Sequence, residues 1–138
     1  MKPLLALLLL AATGPALAET LVVRVTGAGA GGQVVASLYQ SADGFGSFNT
    51  RKAAQVKTAP ATAGPVTLRF ENLAPGRYAV AAFHDEDSNL KVRTNFIGIP
   101  REPVGVSNNT GGMPSFSKSL VSVPAAAGLD ISLRRIGG

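Results

Sequence analysis

Apolar and polar residues alternate with a period of two through most of this chain beyond residue 18. Successive side chains of an extended backbone point to opposite faces, so this period predicts strands. Leu21, Val23 and Val25 share one face, with Val22, Arg24 and Thr26 on the other. Gln33 to Gln40 is β-branched and alternating, and Val66, Leu68 and Phe70 alternate with Thr67, Arg69 and Glu71. Arg77 to Phe83, Ser119 to Val123 and Leu129 to Arg134 read as further strands, and Lys52 to Thr58 as a weaker one. Turn signals separate them at Gly27 to Gly32, Asp43-Gly44, Ala63-Gly64-Pro65, Pro75-Gly76 and Pro124 to Gly128. No segment of useful length carries a capped helical period. A short helical turn is expected around Ser41 to Asn49, pinned to the core by Phe45 and Phe48. Short strands with frequent turns predict an all-β fold, an antiparallel two-sheet β-sandwich of the immunoglobulin or prealbumin type with one long ordered loop.

One strand departs from clean alternation. Tyr78, Val80 and Ala82 make one apolar face of Arg77 to Phe83, and Ala79, Ala81 and Phe83 make another. A strand apolar on both faces is covered on both. The opposite sheet supplies one cover. The second is expected from the long segment His84 to Phe116, through Phe96, Ile97, Ile99 and Phe116. Loops of that length in compact domains tend to be functional or disordered, and these apolar residues predict a packed one.

Composition places the chain in its compartment. Met1-Lys2, the apolar run Leu4 to Ala12 and Ala16-Leu17-Ala18 form a secretory signal peptide with cleavage before Glu19. The expected organisation is residues 1–18 as signal peptide and 19–138 as one sandwich domain, exported to the periplasm or secreted. Nothing later approaches the ~18 apolar residues of a membrane span. The chain has no cysteine, which removes disulfides and thiolate metal sites. Without Lys2 there remain twelve Lys and Arg against eight Asp and Glu, a net charge of +4. The basic residues are scattered, and nucleic-acid binding expects a clustered stripe.

The candidate chemistry lies between His84 and Phe116. Asp85-Glu86-Asp87-Ser88-Asn89 spells D-x-D-x-N, in which oxygens spaced by two can converge on calcium. Leu90 and Phe96 stand where an EF-hand wants glycine and glutamate, so it is no EF-hand. A looser calcium loop through Asp85, Asp87 and Asn89 stays open beside a plain Asx-turn reading. His84 is the sole histidine. It is a candidate general base beside Asp85, but there is no G-x-S-x-G elbow and no second histidine for zinc. As a scaffold residue it ends its strand and fixes the loop by hydrogen bonds. The glycines at 27–32 match G-x-G-x-x-G but precede a strand rather than a helix, so they read as a flexible glycine hairpin. Asn108-Asn109-Thr110 reads as turn chemistry.

Several of these residues carry a resemblance. Leu73-Ala-Pro75-Gly76-Arg-Tyr78-Ala-Val80, His84-Asp85-Glu86-Asp87, Asn89, Lys91, Asn95, Gly98-Ile99-Pro100, Glu102, Gly105, Ser107-Asn108 and Pro114-x-Phe116 resemble the exported bacterial proteins of the domain-of-unknown-function 2141 family. The resemblance implies export and a prealbumin-like, transthyretin-like sandwich; it implies no reaction. Similar sequences often carry glycine in place of Leu90 and an acid in place of Arg93, and losing that acid weakens a calcium reading here.

The leading expectation is a non-enzymatic binding or structural module whose loop face at 84–116 meets an envelope component, a glycan or a protein. The residues nominated for that face are His84, Asp85, Asp87, Asn89, Lys91, Asn95, Ser107 and Asn108. No resident cofactor is expected beyond the open calcium question. The alternative is a hydrolase or metal-dependent enzyme centred on His84 and Asp85.

Overall fold

The computed structural model describes residues 18–136. The expected signal peptide lies almost wholly outside the described residues. Eight strands form: β1 (Glu19–Thr26), β2 (Gln33–Tyr39), β3 (Gln55–Pro60), β4 (Val66–Leu73), β5 (Gly76–Asp85), β6 (Val104–Val106), β7 (Leu120–Val123) and β8 (Leu129–Ser132). Three short 3-10 turns accompany them, and no α-helix occurs among the described residues. One sheet has the order β4-β1-β8; the other runs β3-β2-β5-β6, with β7 also pairing β5. The expected all-β two-sheet sandwich is present, with one correction: β1 and β8 pair in parallel. Strand direction across a pairing is set by how the chain returns to the sheet, here from β7 of the opposite sheet into β8, which local alternation does not encode.

The space between the sheets holds Leu21, Val23 and Val25 of β1, Val34, Ala36 and Leu38 of β2, Leu68 and Phe70 of β4, Tyr78, Val80 and Ala82 of β5, and Ile131 of β8. For β1, β4, β5 and β8 these are faces the alternation assigned, whereas β2, read only as alternating, is buried on both faces. The corner between β4 and β5 is closed by the Tyr78 hydroxyl, which donates to the Ala74 carbonyl at 2.6 Å. A tyrosine hydroxyl reaching back to the backbone just upstream stiffens a turn between sheets. It explains the proline-glycine-arginine-tyrosine run at 75–78.

The glycine-rich segment after β1 is not a hairpin. Strands β1 and β2 lie in different sheets, so residues 27–32 cross the sandwich. Gly32 has φ of +65°, and a Cβ there would come within 2.5 Å of the Asp85 carbonyl oxygen. Glycine is needed for that approach.

β5 is covered on both faces, as its sequence requires. The outer cover differs from the expected one. Phe96 is 99% exposed and Ile97 65% exposed. Phe45 and Phe48 take their place, buried with Val35, Tyr39, Ala79, Ala81, Phe83, Val104 and Val106. Phe45 meets Tyr39 and Phe116 edge-on, at centroid distances of 5.4 and 5.7 Å. Phe116 and Val92 do pack here, half-buried. The turn at 41–49 is therefore the main lid of this face. Its aromatic pair sits three residues apart, one turn of tight helix, so both rings reach the sheet together.

The long segment after β5 also holds a strand that alternation misses. β6 is only three residues long and contains Gly105, where a Cβ would lie 2.7 Å from the Ser132 carbonyl oxygen. Its pairing with β5 comes entirely from tertiary contact.

Candidate functional site

The segment between β5 and β6 is organised by two fully buried acids, Asp85 and Glu102. Asp85 ends β5, and the chain curls around its side chain. One carboxylate oxygen accepts from the Asn89 amide at 3.2 Å; the other accepts from the Leu90 amide and the Gln33 side chain, both at 2.8 Å. Burial acts to raise the Asp85 pKa, but the bonds from Gln33, Leu90 and Asn89 outweigh it and hold the group below the ordinary carboxyl value. The curl requires Ser88 and Leu90 at positive φ, 55° and 65°. A leucine in that conformation costs about 1–2 kcal/mol.

Glu102 clamps the other side. Its two oxygens accept from the Glu86 amide at 2.9 Å and the Arg93 amide at 2.8 Å. Between these anchors residues 93–101 form a small hairpin. Thr94 and Pro100 bridge, the Asn95 amide donates to the Ile99 carbonyl at 2.9 Å, and the Asn95 side chain accepts from Ile97 and Ile99, both at 3.0 Å. Phe96 and Ile97 stand at the tip. Each bond fixes backbone, so the tip is held although its side chains touch solvent.

Charges gather at the hairpin base. Arg93 lies 2.6 Å from Glu86 and 3.9 Å from Glu102, and Arg135 lies 3.6 Å from Glu86. Ligand atoms of Asp85, Asp87 and Glu102 lie within 4.8 Å of one another. Hard oxygen donors of this kind suit calcium or magnesium. Yet both oxygens of Asp85 and of Glu102 already accept hydrogen bonds, and Arg93 supplies a cation beside them. The convergent set also differs from the D-x-D-x-N expectation. Asn89 turns its side-chain oxygen to the Lys91 amide at 2.9 Å, and Glu102 stands in the third place.

The nominated residues separate into anchors and surface. His84 is buried and its Nε2 lies 2.7 Å from the Gly31 carbonyl, so that nitrogen carries the proton and ties the crossing loop to β5. His84 and Asp85 are neighbours in one strand and point to opposite faces. The structure does not bring them together as a catalytic pair. Ser107, expected near the outer surface, is fully buried. β6 pairs with Ala81 to Phe83 and β7 with Gly76 to Ala79, leaving Val80 at the junction. The Ser107 hydroxyl accepts from the Val80 amide at 3.0 Å and donates to the Ser119 carbonyl. Asn108 bonds the carbonyls of Lys118 and Leu120, and Asn109 bonds Asp130 and Ser132 of β8. These side chains staple the scaffold. Asn95 is half-buried and spent on its turn, whereas Asp87, Asn89 and Lys91 are exposed. Asn89 and Lys91 line an open groove of about 530 Å³ with Asn49, Thr50 and Arg51.

Sequence reasoning missed Gln33, Glu102 as an anchor, and the display of Phe96 and Ile97. Gln33 opens β2 and reaches Asp85 only through strand pairing. The tip had a signal: Asn95 and Gly98 flank the apolar pair, and turn residues there direct the central side chains outward.

A family model for uncharacterized proteins conserved in bacteria (DUF2141) matches residues 23–131, and the chain belongs to that family. No curated protein and no solved structure matches it. No helix among the described residues is long and apolar enough to cross a membrane.

Proposed function

We propose that this member of the family is an exported, non-enzymatic binding module, and that its contact element is the hairpin at 93–101. The observation that carries the reading is the fully exposed Phe96 beside Ile97 on backbone fixed by Asn95 and Glu102. Large apolar side chains held at a rigid protrusion lose little further entropy on contact and gain burial. Recognition residues commonly sit on loops that a rigid scaffold positions. The signal-peptide pattern at 1–18 supports export, so the partner is an envelope component.

The test compares the wild type with a Phe96→Ser/Ile97→Ser double variant for cosedimentation with isolated cell envelopes. The wild type is expected to sediment with the envelopes and the variant to stay in solution with unchanged far-ultraviolet dichroism. Equal behaviour of the two proteins overturns the hairpin as contact element.

A further inference from the structure

We infer that the partner of the hairpin is the surface of an anionic phospholipid bilayer, an inference that rests on the reading of the hairpin as contact element. Four observations lead there. First, the apolar tip is convex and small. An aromatic side chain offers roughly 150–250 Å², so a two-residue tip falls short of the ~800 Å² per partner of a stable protein interface. Second, residues 88–101 carry Lys91, Arg93 and Arg101 and no acid. Arg93 pairs with Glu86, whereas Lys91 and Arg101 are exposed and form no ion pair among the described residues.

Third, the vertical order fits a bilayer. The Arg101 amide bonds the Arg93 carbonyl at 2.6 Å, so these two residues form one rung. Phe96 and Ile97 stand three to four residues beyond it, roughly 10 Å at strand rise. An interfacial apolar group buries roughly 5–10 Å into the boundary of headgroups and acyl chains. With the tip at that depth, Arg101 of the rung meets the phosphate plane, and Lys91 follows two residues behind Arg93 in the same segment. Fourth, the tip cannot fold back to hide its apolar side chains, because its backbone is committed to Asn95 and its base to Glu102. A soft lipid surface accepts a rigid two-residue wedge without a shaped pocket.

The experiment is sedimentation of the purified protein with vesicles of phosphatidylglycerol mixed into phosphatidylcholine, and with phosphatidylcholine alone, at low and high salt. Binding is expected to the anionic vesicles and to weaken with salt. Phe96→Ala is expected to weaken partitioning about tenfold. Lys91→Glu and Arg101→Glu are each expected to weaken it by about fivefold or more. Lys57→Glu, on β3 outside the hairpin, is expected to bind as the wild type.

Absence of binding to anionic vesicles overturns the inference, as does equal binding to both compositions. Losses as large for Lys57→Glu as for Arg101→Glu overturn it too, because net charge alone then explains the attraction. So does a tip-dependent dimer in sedimentation velocity, which would make a second copy the partner. If vesicle binding fails while envelope cosedimentation still depends on Phe96 and Ile97, the lipid assignment falls and the binding reading stands. If neither depends on the tip, both fall.

Discussion

Replacing Glu102 with alanine tests whether the hairpin is rigid for the reason given. The side chain is fully buried, and its two oxygens satisfy the amides of Glu86 and Arg93 at 2.9 and 2.8 Å. Hydrogen bonds to a charged group contribute about 1.5–3 kcal/mol each, which sets an upper figure of about 3–6 kcal/mol. The loss is capped by local opening. Once residues 86–101 undock, both amides reach water, and only the free energy that docked the segment is forfeited. That segment buries little, chiefly Pro100 and parts of Val92 and Ile99. The expected loss for Glu102→Ala is therefore about 2–4 kcal/mol. Glu102→Gln keeps one good acceptor but presents an amide donor to the second N–H, so about half that loss is expected. The assay is urea unfolding combined with amide hydrogen exchange. The Glu86 and Arg93 amides, and the Asn95–Ile99 turn, should exchange far faster in the alanine variant while β5 stays protected. Stability within about 0.5 kcal/mol of wild type, with unchanged exchange at Arg93, refutes the anchoring role.

Phe70 lies fully buried between the sheets, and Phe70→Ala should cost roughly 3–5 kcal/mol by urea titration; a loss below about 1 kcal/mol would contradict its core position. The pKa of Asp85 is lowered in the folded chain, so its contribution is complete above the unfolded carboxyl value and is lost as pH falls through the folded one. Stability should decline as pH drops below about 4, and Asp85→Asn should flatten that decline; an unchanged acid slope in the variant would assign it to other groups. Calorimetry with calcium is expected to give millimolar affinity or no heat, because Asp85 and Glu102 are already hydrogen-bonded and Arg93 sits beside them. Micromolar affinity abolished by Asp87→Ala would make the loop a metal site.

Much of the fold was legible because strand alternation is local. The inward faces of β1, β4 and β8 follow from every second residue being apolar, the period of a strand covered on one face. The doubly apolar run 78–83 likewise requires two covers on sequence grounds alone. The identity of the outer cover was not legible. Phe45, Phe48, Phe96 and Ile97 are all apolar residues in turn-rich segments, and hydrophobicity alone does not rank them. The structure separates them by tether: the turn at 41–49 is joined to β2 and folds back over it, whereas Asn95 turns the tip at 96–97 outward.

The site divides along the same line. The sequence by itself marked His84 to Phe116 as the chemically mixed segment, and it placed His84 at the end of a strand with Asp85 opening the loop; the structure carries the strand one residue further, through Asp85. Once Asp85 belongs to the strand, parity turns those two side chains apart. The clamp on the loop belongs to tertiary structure alone. Asp85, Glu102 and Gln33 are remote in sequence, and they converge because β2 pairs with β5 and the chain returns after the hairpin. Likewise Ser107 is a polar residue in a polar run until two short strands meet the same edge of β5 and leave Val80 needing partners. Local patterning determined which faces are apolar; pairing across the chain decided which polar groups are consumed inside and which apolar ones are left outside, because hydrogen-bond satisfaction of buried backbone depends on neighbours that sequence proximity does not specify.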